Sequence, residues 1–446
     1  MEPPFTMERE IRITRSYAPA DQGRYLRVPF DVPENTDRVE VEYAYQRFVT
    51  EELPDGRRRR EAAIVDLGLY DETGRLRGWS GSERTSVAVS ASSATPGYAA
   101  GPVRAGRWAV SLGLYKVGGP LEVRITIRLP EARELLLAGD LHVHTVNSDG
   151  SLRTAEMIEL CRREGLDFVA LTDHNSMRQN DEIVGADGLT VIPGMEYTNY
   201  RGHANLLFPA WNGALPLDPL SNSFEAMRDT LAAARDAGAT VCLNHPYTEC
   251  CPWKFGFEGF AWDLVEAWNG PADPADALTI AWWHERLCRG ERSPVVGGSD
   301  YHRPEPLRQV GAPATFVRAA SRSAADIVAG LRAGRSFIAF SRKGPLLELR
   351  VDGRGFGESA VLDGPAEGAA VLRAVKAGDR VRLLDGRGAV VEWKVPYDGE
   401  HETRFTAASD AIFYRLEVRR ELVPGVELLV ALSNPVYVEP ARRASH

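Results

Sequence analysis

The sequence predicts an α/β protein in which a parallel barrel lies between two β-rich segments. Alternating polar and apolar residues fill the chain before residue 130, and strand-like and helix-like segments then follow one another until about residue 340. The period-two alternation returns after Gly344 and Pro345. A chain of 446 residues also exceeds one ordinary domain. We therefore predict three domains, made of residues 1–133, 134–343 and 344–446.

The first segment has the pattern of an antiparallel β-sandwich. Residues 38–43 and 121–127 alternate in polarity, and turns rich in Gly, Ser and Pro separate such runs. No long amphipathic helix interrupts them, which favours a β-sandwich. The run of four arginines at 57–60 follows Gly56, and we expect it to form a solvated loop.

The middle segment repeats a unit of strand followed by helix. This repeat predicts a parallel barrel with functional side chains at the carboxyl ends of its strands, and an open doubly wound sheet is the alternative. Thr154 is the expected N-cap of the first helix, and Gly165 is expected to end it. The predicted helices are 155–163, 224–237, 275–289 and 323–333, and the predicted strands include 168–171, 240–243 and 294–296.

The last segment predicts a small β domain. Residues 346–351, 371–375 and 413–418 have strand-like patterns.

Polar groups that mostly follow apolar runs predict a metal site in the middle segment. His142 and His144 stand two residues apart, so on a strand their side chains point to the same face. A single histidine at a strand end is usually a hydrogen-bonded residue, but six of the nine histidines fall in these groups. Carboxylates gathered without a cation would repel one another. The candidate ligands, which suit Zn, Mn or Fe, are His142, His144, Asp149, His174, Glu196, His203, His245, Asp300 and His302.

Composition and charge exclude several other classes of protein. The net charge of −9 disfavours nucleic-acid binding, which needs a basic face. No apolar run approaches membrane-spanning length, and the five cysteines have no disulfide or zinc-knuckle spacing. We expect a cytoplasmic enzyme with a small-molecule substrate; the sequence leaves its oligomeric state open.

The polar groups resemble, in type and order, the motifs of the PHP (polymerase and histidinol phosphatase) superfamily of metal-dependent hydrolases. The resemblance is carried by DLHVHTVNSDG from Asp140, LTDHN, GMEYT, GHANLL, NHP and GGSDYH. The segment VEAWNG from Val265 and the later GPLL from Gly344 are most similar to the CehA/McbA-type branch.

The resemblance implies a distorted (β/α)7 barrel that holds two or three divalent metal ions. By this similarity Glu196 would bridge two ions. The implied first site consists of His142, His144, Glu196 and Asp300, the second of Glu196, His203 and His245, and the third of Asp149, His174 and His302. Asp149 stands where several relatives have a histidine, which makes the third site richer in oxygen.

The implied activity is hydrolysis by a hydroxide that bridges two metal ions. A phosphoesterase acting on a small phosphate ester is the leading prediction. The alternatives are a carbamate or carboxylic (aryl) ester hydrolase and a non-enzymatic binding protein with a barrel scaffold. The candidate catalytic residues are Glu196, Asp300 and His302, and the candidate substrate-binding residues are Asn205, Lys254, Asn269 and Arg303.

Overall fold

The structure is a computed structural model that describes residues 8–33, 36–54, 56–90, 93–130, 134–210 and 221–441. It has two compact units, Met1–Arg133 and Glu134–His446. No helix among the described residues is long and apolar enough to cross a membrane.

The first unit contains two four-stranded antiparallel sheets that share one core. Their orders are β1-β10-β3-β8 and β2-β9-β6-β7, and β4 and β5 form a separate hairpin. Trp108, Leu67 and Val123 are among the fully buried residues of the core. The strands are β1 (Glu8–Tyr17), β2 (Tyr25–Val32), β3 (Arg38–Tyr45), β4 (Phe48–Leu53), β5 (Gly56–Glu61), β6 (Ala63–Tyr70), β7 (Leu76–Ser80), β8 (Ser86–Ser90), β9 (Gly106–Val117) and β10 (Leu121–Pro130).

The four arginines at 57–60 are exposed, as expected, but they lie in strand β5 rather than in a loop. Glutamates on the paired strand β4 explain the difference, since cross-strand pairs of opposite charge favour the hairpin. Arg57 Nε lies 2.7 Å from Glu52 Oε1, and Arg60 Nε lies 2.6 Å from Glu51 Oε1.

The second unit begins with the strands and helices that carry the candidate ligands. Helix α1 starts at Thr154 with Arg153 as its N-cap, one residue before the expected cap. The strands are β11 (Leu135–Val143), β12 (Phe168–Leu171), β13 (Thr190–Asn199), β14 (Gly202–Leu207), β15 (Thr240–Leu243), β16 (Leu264–Asn269), β17 (Val295–Gly298), β18 (Ala314–Ala319) and β19 (Ser336–Ala339). The helices are α1 (Thr154–Arg163), α2 (Arg178–Asp181), α3 (Phe224–Asp236), α4 (Pro274–Cys288) and α5 (Ala324–Arg332).

These strands form a mixed sheet, so the prediction of a parallel one is only partly right. Strands β17 to β11 are neighbours in reverse chain order, and β11-β12-β13 and β15-β16-β17 are parallel. Strand β14 is antiparallel to both of its neighbours. Only Tyr200 and Arg201 separate β13 from β14, and so short a connection allows a hairpin but no parallel crossover.

The two ends of this run of strands approach each other at the candidate ligands. Ser299, just after β17, donates its backbone N–H to Asp140 Oδ1 of β11 at 2.9 Å. A Cβ at Gly298 would lie 2.5 Å from the Cβ of His142, so only glycine fits there. The (β/α)7 barrel remains a prediction.

Six of the remaining nine strands continue the same sheet, because β27 pairs with β19, whereas β20, β22 and β25 form a separate three-stranded antiparallel sheet. Phe337 and Tyr414 belong to one apolar core, which therefore crosses the predicted boundary at 343/344. The three-domain division remains a prediction. These strands are β20 (Leu346–Val351), β21 (Ser359–Leu362), β22 (Ala366–Val375), β23 (Arg380–Asp385), β24 (Gly388–Lys394), β25 (Gly399–Ala407), β26 (Phe413–Val423), β27 (Val426–Ser433) and β28 (Val436–Pro440).

Candidate metal centre

The structure brings all nine predicted ligands together at one end of the strands. Buried strands position most of them, because an apolar run fixes the backbone just before or around each polar side chain. Strand β11 carries His142 and leads to His144 and Asp149, β12 leads to His174, β13 carries Glu196, β14 carries His203, β15 leads to His245, and β17 leads to Asp300 and His302.

Glu196 is the centre of the group and is fully buried. Its Oε1 lies 3.1 Å from His203 Nδ1 and 3.3 Å from His245 Nε2. Its Oε2 lies 2.8 Å from His174 Nδ1 and 3.5 Å from His144 Nε2. One carboxylate therefore touches ligands from three implied sites, which is the geometry that a bridging role requires.

Asp300 lies next to His142 and His144. Its Oδ1 lies 3.0 Å from His144 Nε2 and 3.4 Å from His142 Nε2. Its side chain is 21% exposed, so it faces both the buried histidines and the solvent.

The third group of residues is more open to solvent. His302 Nε2 lies 3.2 Å from Asp149 Oδ1, and His174 Nε2 lies 3.8 Å from the same oxygen. The Asp149 side chain is 55% exposed. The three side chains of the third group therefore lie close together, with Asp149 at the solvent-exposed edge of the group.

The backbone is strained at this end of the strands. Three non-glycine residues have left-handed φ angles here: 47° for Asn175, 24° for His245 and 50° for Asp300. Such conformations cost about 1–3 kcal/mol each and persist where the surrounding structure imposes them, often at functional sites. Two of these three residues are candidate ligands.

Opposite charges stabilise one another in this buried group. Burial raises the pKa of the Glu196 carboxyl, but the His142 and His203 imidazoles more than offset this and hold it well below its usual range. Burial also raises the pKa of the Asp300 carboxyl, but the His142 and His144 imidazoles more than offset this effect. The pKa of Asp300 therefore lies well below its usual value. Burial lowers the pKa of His142, whereas Glu266 and Asp300 raise it to well above its usual value.

The donor atoms fit divalent metal ions. His142 and His144 are fully buried, yet His142 Nε2 and both ring nitrogens of His144 make no well-aligned hydrogen bond with the described residues. Oxygens of Glu196 and Asp300 lie 3.0–3.5 Å from their Nε2 atoms. Because imidazole nitrogen and carboxylate oxygen are common ligands of Zn and similar ions, a cation would satisfy these atoms.

Glu266 is the main residue of this centre that the ligand prediction missed. It lies inside the buried strand β16, where no polar group after an apolar run marks it. Its Oε1 lies 2.9 Å from His142 Nδ1, and its Oε2 accepts the backbone N–H of His245 at 3.1 Å. The only sequence signal for Glu266 was its place in the VEAWNG segment.

Asp140 and Asp173 accept hydrogen bonds from the backbone of neighbouring loops. Asp140 accepts the backbone N–H groups of Ser299 at 2.9 Å and Gly311 at 2.7 Å. Asp173 accepts the N–H of Thr145 at 2.7 Å. These two carboxylates therefore fix the segments that follow β11 and β17.

Two predicted substrate-binding residues are close to the centre and two lie on the surface. Asn205 is buried and donates from Nδ2 to Leu141 O at 3.1 Å, and Asn269 donates from Nδ2 to Glu266 Oε2 at 3.1 Å. Lys254 and Arg303 are exposed. Their roles in substrate binding remain predictions.

Arg308 is a cation beside Asp300 that the sequence reasoning did not single out. It donates from Nη1 to Ser299 O at 2.6 Å and to Asp300 O at 3.1 Å. The same Nη1 lies 3.7 Å from Asp300 Oδ2.

Part of the chain that carries the candidate ligands matches a known family. Residues 140–243 match the PHP domain. The matched segment of the PHP domain includes His142, His144 and Glu196, whereas His245 and Asp300 follow it. The CehA/McbA-type branch remains a prediction.

Three similar proteins match different shares of the chain. An uncharacterized protein of Methanocaldococcus jannaschii is 26% identical over an alignment of 149 residues, and the match covers 30% of this chain and 82% of that protein. A solved two-domain protein of Bacteroides vulgatus, which contains a predicted PHP-like metal-dependent phosphoesterase, is 18% identical with a TM-score of 0.39; the match covers 67% of this chain and 96% of that one. An amidohydrolase from Chromobacterium violaceum, with bound sulfate and no metal, is 17% identical with a TM-score of 0.29, over 38% and 89% of the two chains.

Proposed function

We propose that this chain is a metal-dependent hydrolase that acts on a small phosphate ester. The observation that carries the proposal is the convergence of six histidines with Glu196, Asp300 and Asp149. When bound, the divalent ions supply positive charge that acidifies water and stabilises negative charge on the substrate. A phosphoryl group has several oxygens and so suits a group of cations better than a single carbonyl does.

The family resemblance implies three sets of ligands, with Glu196 shared by two of them. Asp300 is partly exposed, and its Oδ2 lies 3.7 Å from Arg308 Nη1. It can accept the proton of the attacking water there. His302 is also partly exposed, with Nε2 3.2 Å from Asp149 Oδ1. It would be the alternative proton carrier if the third set of ligands held no metal ion.

Two of the aromatic residues after β15 favour phosphate over aryl esters or carbamates. Trp253 and Phe255 are buried, and their rings pack together with a centroid distance of 5.2 Å. Trp253 Nε1 also donates to Gly256 O at 2.6 Å. Because these side chains are used in the loop's own core, they offer little apolar surface to an aromatic leaving group.

The test is a hydrolysis panel with the full chain after its metal has been removed and replaced by Zn, Mn or Fe. The panel contains a phosphomonoester, a phosphodiester, an aryl ester and a carbamate. We expect the phosphate esters to be cleaved fastest. We expect Glu196→Gln to lower that rate at least about a hundredfold, since an amide cannot supply charge to two ions.

Glu159→Gln is the matched control, because Glu159 is not a candidate ligand and is exposed on α1, where its Oε2 lies 2.9 Å from Arg162 Nη1. It should keep the activity of the unchanged protein. Faster cleavage of the aryl ester or carbamate by the same metal-loaded protein would overturn the proposed substrate class. A reconstituted protein that holds no metal and cleaves none of the four would overturn the proposed function itself.

A further inference from the structure

A thiol lies beside the two histidines of the implied second metal site. Cys251 Sγ is 4.0 Å from His245 Nδ1. Cys251, His203 and His245 each bring one donor atom to within 4.8 Å of the other two. Both histidines are buried and Cys251 is partly buried. The three side chains therefore form a compact set of one sulfur and two nitrogen donors.

The loop that carries Cys251 is held at both ends. Thr248 donates its N–H to His245 O at 3.1 Å, and Trp253 donates its N–H to Pro246 O at 2.9 Å. The next residue, Lys254, donates its N–H to Arg201 O at 2.6 Å. The position of the thiol beside His245 is therefore fixed by the backbone on each side of it.

The neighbouring thiol differs from Cys251 in exposure. Cys250 is exposed, and its Sγ lies 2.9 Å from Cys251 Sγ. Cys250 does not belong to the compact set with His203 and His245. The pair thus offers one thiol that faces the histidines and one, next to it in the chain, for comparison.

We propose that Cys251 is a thiolate ligand that completes a soft metal site with His203 and His245. This inference rests on the proposed metal-dependent function. Thiolate and imidazole ligands select zinc-like ions, whereas carboxylates and water suit manganese and magnesium. The implied third set contains the exposed Asp149 instead. The two sets therefore differ in preference, soft at Cys251 and hard at Asp149.

Absorption spectroscopy of the full chain, stripped of metal and loaded with Co²⁺ alone, tests this assignment. We expect a near-ultraviolet charge-transfer band from thiolate to cobalt, together with the visible bands of cobalt bound by histidine and carboxylate. Cys251→Ser should lose the charge-transfer band and keep visible bands. Cys250→Ser, the matched control, should keep both. Circular dichroism of each variant checks that the fold is retained.

A competition between Zn²⁺ and Mn²⁺ gives a second measurement. We expect Cys251→Ser to reduce the preference of one site for Zn²⁺ by at least about tenfold, because serine offers a hard oxygen in place of the soft thiolate. Cys250→Ser should leave the preference unchanged.

The outcomes separate this inference from the function on which it rests. Bound cobalt without a charge-transfer band, or a band that survives in Cys251→Ser, would overturn the thiolate ligand while the metal centre stands. A band lost in Cys250→Ser but kept in Cys251→Ser would overturn it as well. Failure of every form of the protein to bind cobalt would overturn the metal centre and this inference together.

Discussion

At the scale of single residues, Glu266 holds two candidate ligands, His142 and His245, by hydrogen bonds. Its Oε1 lies 2.9 Å from His142 Nδ1, and its Oε2 accepts from the His245 backbone and from Asn269 Nδ2, each at 3.1 Å. Partners of this kind orient a ligating imidazole and raise its basicity. We expect Glu266→Gln to lower metal affinity about 10–100-fold, because the amide keeps only one acceptor oxygen. Competition with a chelator measures the metal affinity. An unchanged affinity would show that the contact between Glu266 and His142 is not needed.

Asp149 is the weakest predicted ligand by its surroundings. Its side chain is 55% exposed and lies 3.2 Å from His302 Nε2 and 3.8 Å from His174 Nε2. We expect Asp149→Ala to lower the metal content by about one ion per chain and to reduce the rate, while the buried sites keep their metal. Elemental analysis after reconstitution measures this. Loss of all metal from the variant would mean instead that the sites fill only together.

At the scale of elements, the sequence predicts most of what positions the centre, and its exceptions have physical reasons. Strands β12 and β15 have the predicted bounds because short apolar runs end there in polar groups. Glu266 gives no such signal, since it lies within a buried strand. The antiparallel course of β14 depends on the two-residue connection before Gly202, which a pattern of alternating strands and helices does not reveal.

The start of helix α4 should make the stability depend on pH. Asp276 accepts the backbone N–H groups of Asn269 and Asp273, each at 3.1 Å. Burial raises its pKa from 3.8 to about 7. Between these two values the folded chain holds a proton that the unfolded chain has released, so the free energy of unfolding falls as pH rises toward 7.

We expect Asp276→Asn to reduce this fall, because the amide is neutral at every pH in the range. Urea midpoints of both proteins at pH 5.5 and pH 8 measure it. The variant also loses one acceptor oxygen, and this cost is the same at both pH values. The comparison is therefore between the two proteins' changes in urea midpoint from pH 5.5 to pH 8. An equal fall in both proteins would show that Asp276 is not the group responsible.

At the scale of the whole molecule, the strands after residue 344 are part of the structure that holds the metal centre. Asn434 Nδ2 donates to Val295 O at 2.9 Å and to Ser336 O at 3.1 Å, which ties the segment after β27 to β17 and β19. Val295 begins the strand that leads to Asp300. The position of that ligand therefore depends on residues far along the chain.

A fragment of residues 134–343 should fail to fold, although the sequence pattern predicts a domain boundary after residue 343. Its loss of the last strands would expose Phe316 and Phe337 and leave the edge of β19 unpaired. We expect residues 134–446, in contrast, to fold alone, because they form one compact unit. Thermal unfolding followed by circular dichroism compares the two fragments. A cooperative transition in the fragment 134–343 would support the predicted boundary instead, since that fragment would then contain a complete core.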